Sequence, residues 1–263
     1  MADALIGHSG YVGSTLLRQR AFGALYRSTD IDTIVGQRFD TIVCAGAPAQ
    51  KWLANKDPQG DAARIDALMA HLRTVRCDGP FVLISTIDVY GQPIGVDEDS
   101  PVEEAGLHAY GLNRRRLERF VSEHFERALI VRLPGLVGPG LRKNVIFDFL
   151  NDNQVNLIDS RGVFQFYPMV NLWADIEVAL AAGLQLVHLT AEPISVADVS
   201  RLGFGRSFEN IVAPQAARYD MRTRHAALFG GRGDYSYSAR ETIQAVRAYA
   251  QSEPRTLPAG AAR

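Results

Sequence analysis

The chain has 263 residues, a formal net charge of −1, 47% hydrophobic and 22% charged residues, the profile of a soluble globular protein long enough to bury a large core. That balance gives no electrostatic attraction toward nucleic acid or an acidic membrane, and no apolar run reaches the length that spans a bilayer. The chain opens straight into Ala4-Leu5-Ile6, leaving no room for a signal peptide, and two cysteines with six histidines lacking ligand spacing point away from a disulfide framework or a metal site. A cytoplasmic protein with a buried free thiol at Cys44 is expected.

Short apolar runs alternate with amphipathic stretches, as in a parallel sheet with crossover helices. Ala4-Leu5-Ile6 is the first expected strand, and a glycine loop joins it to a helix through Val12, Leu16 and Leu17. Strands two to four are expected at 24–26, 40–45 and 81–85. Between the last two, Ile65, Leu68, Met69, Leu72 and Val75 fall at helical spacing. A long helix is expected over 110–125, then a buried strand at 129–133, a loop through Gly135, Gly138 and Gly140, and a helical stripe at 145–150. A helix over 172–184 and a strand at 186–189 follow. Trp52 and Trp173 are expected to be packing residues. Only about thirty residues separate the glycine loop from the third strand, too few for a second strand with a full crossover helix. Residues 28–39 must therefore cross compactly.

Three segments carry chemistry. Gly7-x-x-Gly10-x-x-Gly13 lies between a strand and a helix, where glycines let the backbone turn tightly and approach a pyrophosphate at the helix N-terminus; a plain structural turn has the same look. Ser85-Thr86-Ile87-Asp88-Val89-Tyr90-Gly91 follows an apolar strand, which places its hydroxyls at the carboxyl end of a parallel sheet, where ligands bind. The alternative is that Ser85 and Thr86 only satisfy turn backbone. Tyr110 and Arg114 stand four apart and share a helix face, and that face continues through Leu117, Val121 and Phe125, so Arg114 points inward. A tyrosine titrates near 10, and a fixed cation beside it lowers that value. An inward arginine needs an anionic or carbonyl partner, and a tyrosinate or a ribose would serve.

Taken together, these segments resemble the short-chain dehydrogenase/reductase superfamily in its extended branch, the NAD(P)-dependent sugar-nucleotide epimerases, dehydratases and reductases. The motifs match from Leu5 to about Ile146, and the short crossover is closest to the dTDP-4-dehydrorhamnose reductase type. The resemblance implies an α/β fold, a Rossmann doubly wound parallel sheet with a small C-terminal substrate-binding part. Residues 1–165 would bind NAD(P), 166–251 would be the partly interleaved substrate portion, and 252–263 a disordered tail.

By the same resemblance, Gly7, Gly10, Tyr11, Val12 and Gly13 would hold the cofactor pyrophosphate. Ala45, Gly46 and Ala47 would lie along its adenosine, and Pro134 would belong to the loop over the nicotinamide. Arg27, at the end of the second strand, suits a 2′-phosphate and tilts the choice toward NADP, although a plain surface arginine would look the same. Thr86 would hydrogen-bond the reacting oxygen, Tyr110 would move the proton, and Arg114 stands where the family has lysine. Arginine keeps the charge but never gives up its proton, so altered chemistry or cofactor binding without turnover are both open. Asp88, Arg142 and Asn144 are substrate candidates, with a helix cap the alternative for Asn144. Ile87 and Gly135 depart from the family pattern, losing a dehydratase acid and a substrate-side asparagine. The implied function is hydride transfer at a carbonyl or secondary alcohol of a small sugar-based, nucleotide-linked substrate by a homodimer. The alternative is a weak or inactive NAD(P)-binding regulatory or scaffold protein.

Overall fold

A computed structural model describes residues 2–256. The chain forms two compact units. The first holds the chain up to Gln92, Asp99–Leu133 and Trp173–His188; the second holds Pro93–Glu98, Pro134–Leu172 and the chain from Leu189 onward.

The first unit is built on six strands, β1 (Ala4–Ile6), β2 (Ala24–Tyr26), β3 (Ile42–Cys44), β4 (Phe81–Thr86), β5 (Ala128–Leu133) and β6 (Leu186–His188). They pair in the order β6-β5-β4-β3-β1-β2, every pair parallel. Strands β1, β3 and β5 are buried along their whole length, which explains why they are continuous apolar runs without alternation. The helices are α1 (Tyr11–Gln19), α2 (Lys51–Lys56), α3 (Pro58–Leu72), α4 (Ala109–His124) and α5 (Leu172–Ala181). Helices α3 and α4 send Ile65, Leu72, Leu117 and Val121 into one core with Ile6, Ile42 and Phe81, and Phe81 stacks on Phe125 at 4.0 Å.

Strand β1 has β2 on one side and β3 on the other, so the chain leaves it in one direction and returns on the opposite side. This is the topological switch point, where such sheets leave a crevice at the carboxyl ends of their strands. The tight crossover is made by a 3-10 turn, Ile31–Ile34, with Ile34 buried. Arg38–Phe39 then pairs with Arg76–Cys77.

Three features depart from the sequence expectation. Helix α2 is an extra element, separated from α3 by Asp57-Pro58; Pro58 opens α3 and the Asp57 carboxylate accepts the Gly60 N–H. Trp52, on α2, is 66% exposed and is not a packing residue, whereas Trp173 meets the Phe22 ring edge-on at 6.2 Å. The helix Ala239–Ser252 of the second unit was not among the expected elements; Ser238 and Glu241 form the capping box that starts it. Cys44 is fully buried, and burial pushes its thiol up to about 11.

In the second unit, Gly135–Val137 pairs with Phe166–Pro168 and Asp220–Met221 with Ile94–Val96. Buried Gln165 stitches the interior: its amide donates to Thr190 Oγ1 (2.8 Å), Ala191 O (2.6 Å) and Met221 O (2.7 Å), and its oxygen accepts the Met221 N–H (2.6 Å). Of the expected tail at 252–263, Ser252 closes the last helix and the Thr256 N–H donates to Asn151 Oδ1 at 2.7 Å; 257–263 lie outside the described residues. No helix among the described residues is long and apolar enough to cross a membrane.

Candidate active site

The glycine loop lies at the switch point. Gly7 has φ +86°, and a Cβ there would come within 2.4 Å of Ala45 O; a Cβ on Gly13 would come within 2.1 Å of Gly7 O. Both glycines are therefore demanded by the chain's own packing. Gly10 is different: its φ is −74°, and a Cβ would meet only Gly7 O at an ordinary 3.4 Å. Its missing side chain is not needed by the fold, and it keeps the N-terminus of α1 open, where no side chain caps the helix. Tyr11, Val12 and Gly13 form that first turn, and backbone N–H groups with the positive end of a helix dipole suit a pyrophosphate. Ala45, Gly46 and Ala47 follow β3 directly against this loop. A Cβ on Gly46 would press to 2.9 Å on Ile6 Cγ2.

Arg27 follows β2 and is exposed. Its Nε lies 3.5 Å from Asp30 Oδ2, and its backbone N–H donates to Asp30 Oδ1 at 2.7 Å. A cation and a carboxylate thus stand together at the strand end where the 2′ position of a bound ribose is read.

Thr86 ends β4, Asp88 lies in the turn Ile87–Val89, and Tyr110 is in the first turn of α4. A Cβ on Gly111 would come within 2.1 Å of Asp88 O, so glycine after the tyrosine is what lets α4 start directly on this turn. The Thr86 hydroxyl lies beside the Tyr110 side chain; it accepts the Asp88 N–H at 3.2 Å and donates to Asp88 Oδ2 at 3.5 Å. Helix α2 adds two groups that the sequence reading missed. Lys51 Nζ pairs with Asp88 Oδ1 at 2.7 Å, and Asn55 Oδ1 accepts the Tyr110 N–H at 3.0 Å. No motif flags either residue, because both arrive through packing of α2 on α4.

Burial pushes the Tyr110 hydroxyl above the ordinary tyrosine value. The Arg114 charge works the other way, Asp88 reinforces the rise, and the Thr86 hydrogen bond and Lys51 oppose it. The net effect corrects the expectation that Arg114 would bring Tyr110 down toward neutral pH: desolvation wins.

Arg114 does face inward and is 3% exposed, but its partners are neither the phenol oxygen nor an open ribose site. Its guanidinium lies over the Tyr110 ring, 4.0 Å from the centroid. It donates to Asp61 Oδ2 and to Pro48 O, and to Tyr110 O at 3.3 Å. Asp61, 1% exposed, also accepts from Asn113 Nδ2 at 2.8 Å. The clue was in the sequence: Asp61 continues the buried stripe of Ile65, Leu68 and Leu72 on α3, and a carboxylate on an apolar stripe needs a cation.

His108 caps α4, its Nδ1 accepting the Gly111 N–H at 3.0 Å. Burial first, then Lys51, hold its pKa below the ordinary value, against the pull of Asp88. Protonation removes the acceptor, and the unfolded chain takes up the proton near 6.5. Stability from this cap is thus complete above that pH and is lost as pH falls through the folded value. Urea midpoints measured at pH 7.5 and 5 should drop more for the wild type than for His108→Asn, whose cap does not titrate in that range. Equal drops would remove His108 as the cause.

One row across the sheet supports the site from below. Ser85, Arg132 and His188 are register partners on β4, β5 and β6. Arg132, 2% exposed, donates to Glu118 Oε1 (2.9 Å) and Oε2 (2.7 Å) and to the Tyr90 hydroxyl (2.7 Å). Ser85 donates to Glu118 Oε1 at 2.6 Å. Glu118 stands one turn beyond Arg114 on α4, so its ion pair with Arg132 ties α4 to β5, and its hydrogen bond from Ser85 ties α4 to β4, the strand that ends in Thr86.

Pro134, Arg142 and Asn144 belong to the second unit. Arg142 is exposed. Asn144 caps the helix Val145–Asn151, accepting the Ile146 and Phe147 N–H groups at 2.9 and 3.4 Å. Its amide donates to Leu136 O at 2.8 Å, so both ends of this side chain are engaged locally.

No family model matches the chain, and no curated protein matches it. Solved structures do. A dTDP-4-dehydrorhamnose reductase from Bacillus anthracis, in complex with NADP, matches with a TM-score of 0.71 at 14% identity, over 95% of this chain and 98% of that one. A UDP-glucose 4-epimerase from Thermotoga maritima, with UDP-glucose, matches with a TM-score of 0.69 at 14% identity, over 95% and 98%. A dTDP-glucose 4,6-dehydratase from Streptomyces venezuelae, with NAD and TYD bound, gives a TM-score of 0.70 at 16% identity, over 96% and 98%. At these identities what is shared is the fold: the chain has the architecture of these sugar-nucleotide reductases, epimerases and dehydratases, in agreement with its resemblance to the extended short-chain dehydrogenases/reductases.

Proposed function

We propose that the protein is an NAD(P)-dependent oxidoreductase or epimerase that transfers hydride at a carbonyl or secondary alcohol of a nucleotide-linked sugar, with NADP preferred over NAD. The observation that carries this reading is that α4 starts directly on the turn after β4, which brings Tyr110 beside Thr86, at the carboxyl end of a parallel sheet whose switch point holds an open helix N-terminus. When bound, the nicotinamide supplies or accepts the hydride. Gly7, Gly10, Tyr11, Val12 and Gly13 hold its pyrophosphate, Arg27 its 2′-phosphate, and Ala45, Gly46 and Ala47 its adenosine side. The motif match assigns Pro134 to the cofactor and Arg142 and Asn144 to the substrate.

Thr86 orients the reacting oxygen. Tyr110 keeps its proton at neutral pH, because burial raises its pKa, so the resting side chain is set to donate to a carbonyl oxygen as it is reduced. That polarity favours the reductive direction, the chemistry named for the Bacillus anthracis neighbour. A homodimer, a small sugar-based substrate and a cytoplasmic location go with this reading.

NADPH should raise the melting temperature, and Arg27→Ala should weaken NADPH binding more than NADH binding. On a panel of nucleotide sugars with 4-keto groups, Tyr110→Phe should lose about 10²- to 10⁴-fold in kcat with the NADPH Kd unchanged. A fully active Tyr110→Phe would falsify the acid/base assignment. Occupation of Arg114 by Asp61 favours a second reading, a regulatory or scaffold protein that binds NAD(P) without turnover. Cofactor binding with no turnover across the panel would establish it.

A further inference from the structure

Helix α2 gives the interior only Ala54, yet its place is fixed from both flanks by one side chain. Arg114 donates to Pro48 O, just before α2, and to Asp61 Oδ2 on α3, just after it. Lys51 and Asn55 stand four apart on α2, and so on one face. Lys51 Nζ pairs with Asp88 Oδ1 at 2.7 Å, in the turn after β4. The Asp88 N–H in turn donates to Thr86 Oγ1 at 3.2 Å. Asn55 Oδ1 accepts the Tyr110 N–H at 3.0 Å. That N–H lies in the first turn of α4, where backbone donors have no partner within the helix. The next donor, the Gly111 N–H, goes to His108 at the start of the same helix. Tyr110 instead takes an acceptor 55 residues earlier in the chain. A local cap would satisfy the donor, whereas a remote one also fixes where Tyr110 stands against another element.

We propose that α2 is a positioning clip for the reacting pair. Lys51 sets the turn after Thr86 through Asp88, Asn55 sets the start of α4 through the Tyr110 N–H, and Arg114 holds α2 where both can reach. The proposal rests on the roles given above to Thr86 and Tyr110. These two groups come from different elements, the end of β4 and the start of α4, and a misplacement of about 1 Å can cost about 10²-fold in rate. Lys51 and Asn55 each act through another residue, so both are positioning residues. The Lys51–Asp88 pair is 39% and 18% exposed, and pairs open to solvent add little to global stability. The mark of the clip is therefore a loss of rate out of proportion to the loss of stability. It also gives Arg114 a task that lysine could not perform, since a compact ammonium lacks the planar fork that reaches both flanks of α2.

Amide hydrogen exchange needs neither cofactor nor substrate. The Tyr110 N–H should be protected in the wild type, exchange about 10-fold faster in Asn55→Ala, the worth of one hydrogen bond, and stay protected in Asn55→Asp, which keeps the acceptor. The Val121 N–H, deep in the same helix, should not change. In protein labelled with ¹³Cζ-tyrosine, with Tyr110→Phe assigning the signal, Asn55→Ala should move the Tyr110 line, because the substitution changes placement without changing charge. On the nucleotide-sugar panel, Lys51→Met with Asn55→Ala should lose about 10²-fold in kcat with the NADPH Kd unchanged and a Tm lower by no more than about 4 °C. Lys51→Arg with Asn55→Asp should keep most of the rate. Unchanged Tyr110 exchange or an unmoved ¹³Cζ line in Asn55→Ala, or full kcat in Lys51→Met with Asn55→Ala, overturns the clip. A wild type without turnover would instead strike the proposed function, and the exchange and ¹³Cζ measurements would still decide whether α2 holds Tyr110.

Discussion

Arg114→Lys should melt below the wild type and gain no turnover, although it restores the residue that the resembled family has at this position. The reason lies in what surrounds the side chain. The guanidinium reaches Asp61 Oδ2, Pro48 O and Tyr110 O together while stacking on the Tyr110 ring. A lysine ammonium is a compact point charge that cannot span those acceptors or stack as a plane. Each buried acceptor left without a donor costs about 1–3 kcal/mol. Arg114→Ala is harsher, because it leaves the Asp61 carboxylate buried without its cation. Breaking a buried pair from one side costs about 3–5 kcal/mol, which lowers the Tm of a chain this size by roughly 10 °C. Replacing both partners, Arg114→Met with Asp61→Leu, should recover much of that loss, since an apolar pair of similar volume is often no worse than a buried ion pair. Thermal and urea unfolding of Arg114→Met, Asp61→Leu and the double variant form a cycle. If Arg114→Ala stayed within about 0.5 kcal/mol of wild type, the range of an ordinary surface substitution, Arg114 would not be the structural anchor described here.

Glu118→Ala should be as damaging for stability and should also disturb the site. Glu118 is 1% exposed and accepts two hydrogen bonds from Arg132, one from Ser85 and one from Arg115 at 3.1 Å. Its removal strands the Arg132 charge in the sheet, again a loss of about 3–5 kcal/mol. Because Ser85 loses its acceptor immediately before Thr86, the variant should also shift the Thr86 side chain beside Tyr110. The ¹³Cζ signal of Tyr110 checks this in the folded protein at low temperature. A Glu118→Ala protein with wild-type urea midpoint and an unmoved Tyr110 signal would show that the row Ser85–Arg132–His188 does not support the site.

Much of this architecture is local and was therefore legible from the chain. Ala4–Ile6 and Ala24–Tyr26 were found to the residue, because apolar runs bounded by glycine and polar turns have few alternatives. The compact crossover followed from counting residues. Gly7 and Gly13 were legible from their spacing between a strand and a helix, and the structure shows that their positions exclude a Cβ; helical phase alone placed Arg114 on the buried face of α4. What the chain by itself did not determine was the partner of each inward group. Asp61 and Lys51 lie 53 and 63 residues before Arg114, and only the packing of α3 and α2 on α4 decides that Asp61 takes the arginine while Lys51 takes Asp88. The same holds for the state of Tyr110. A cation four residues away is visible in sequence, but the loss of water around the phenol is a property of the whole fold. Periodicity is fixed by neighbours along the chain, whereas desolvation and ion pairing depend on what tertiary packing brings together.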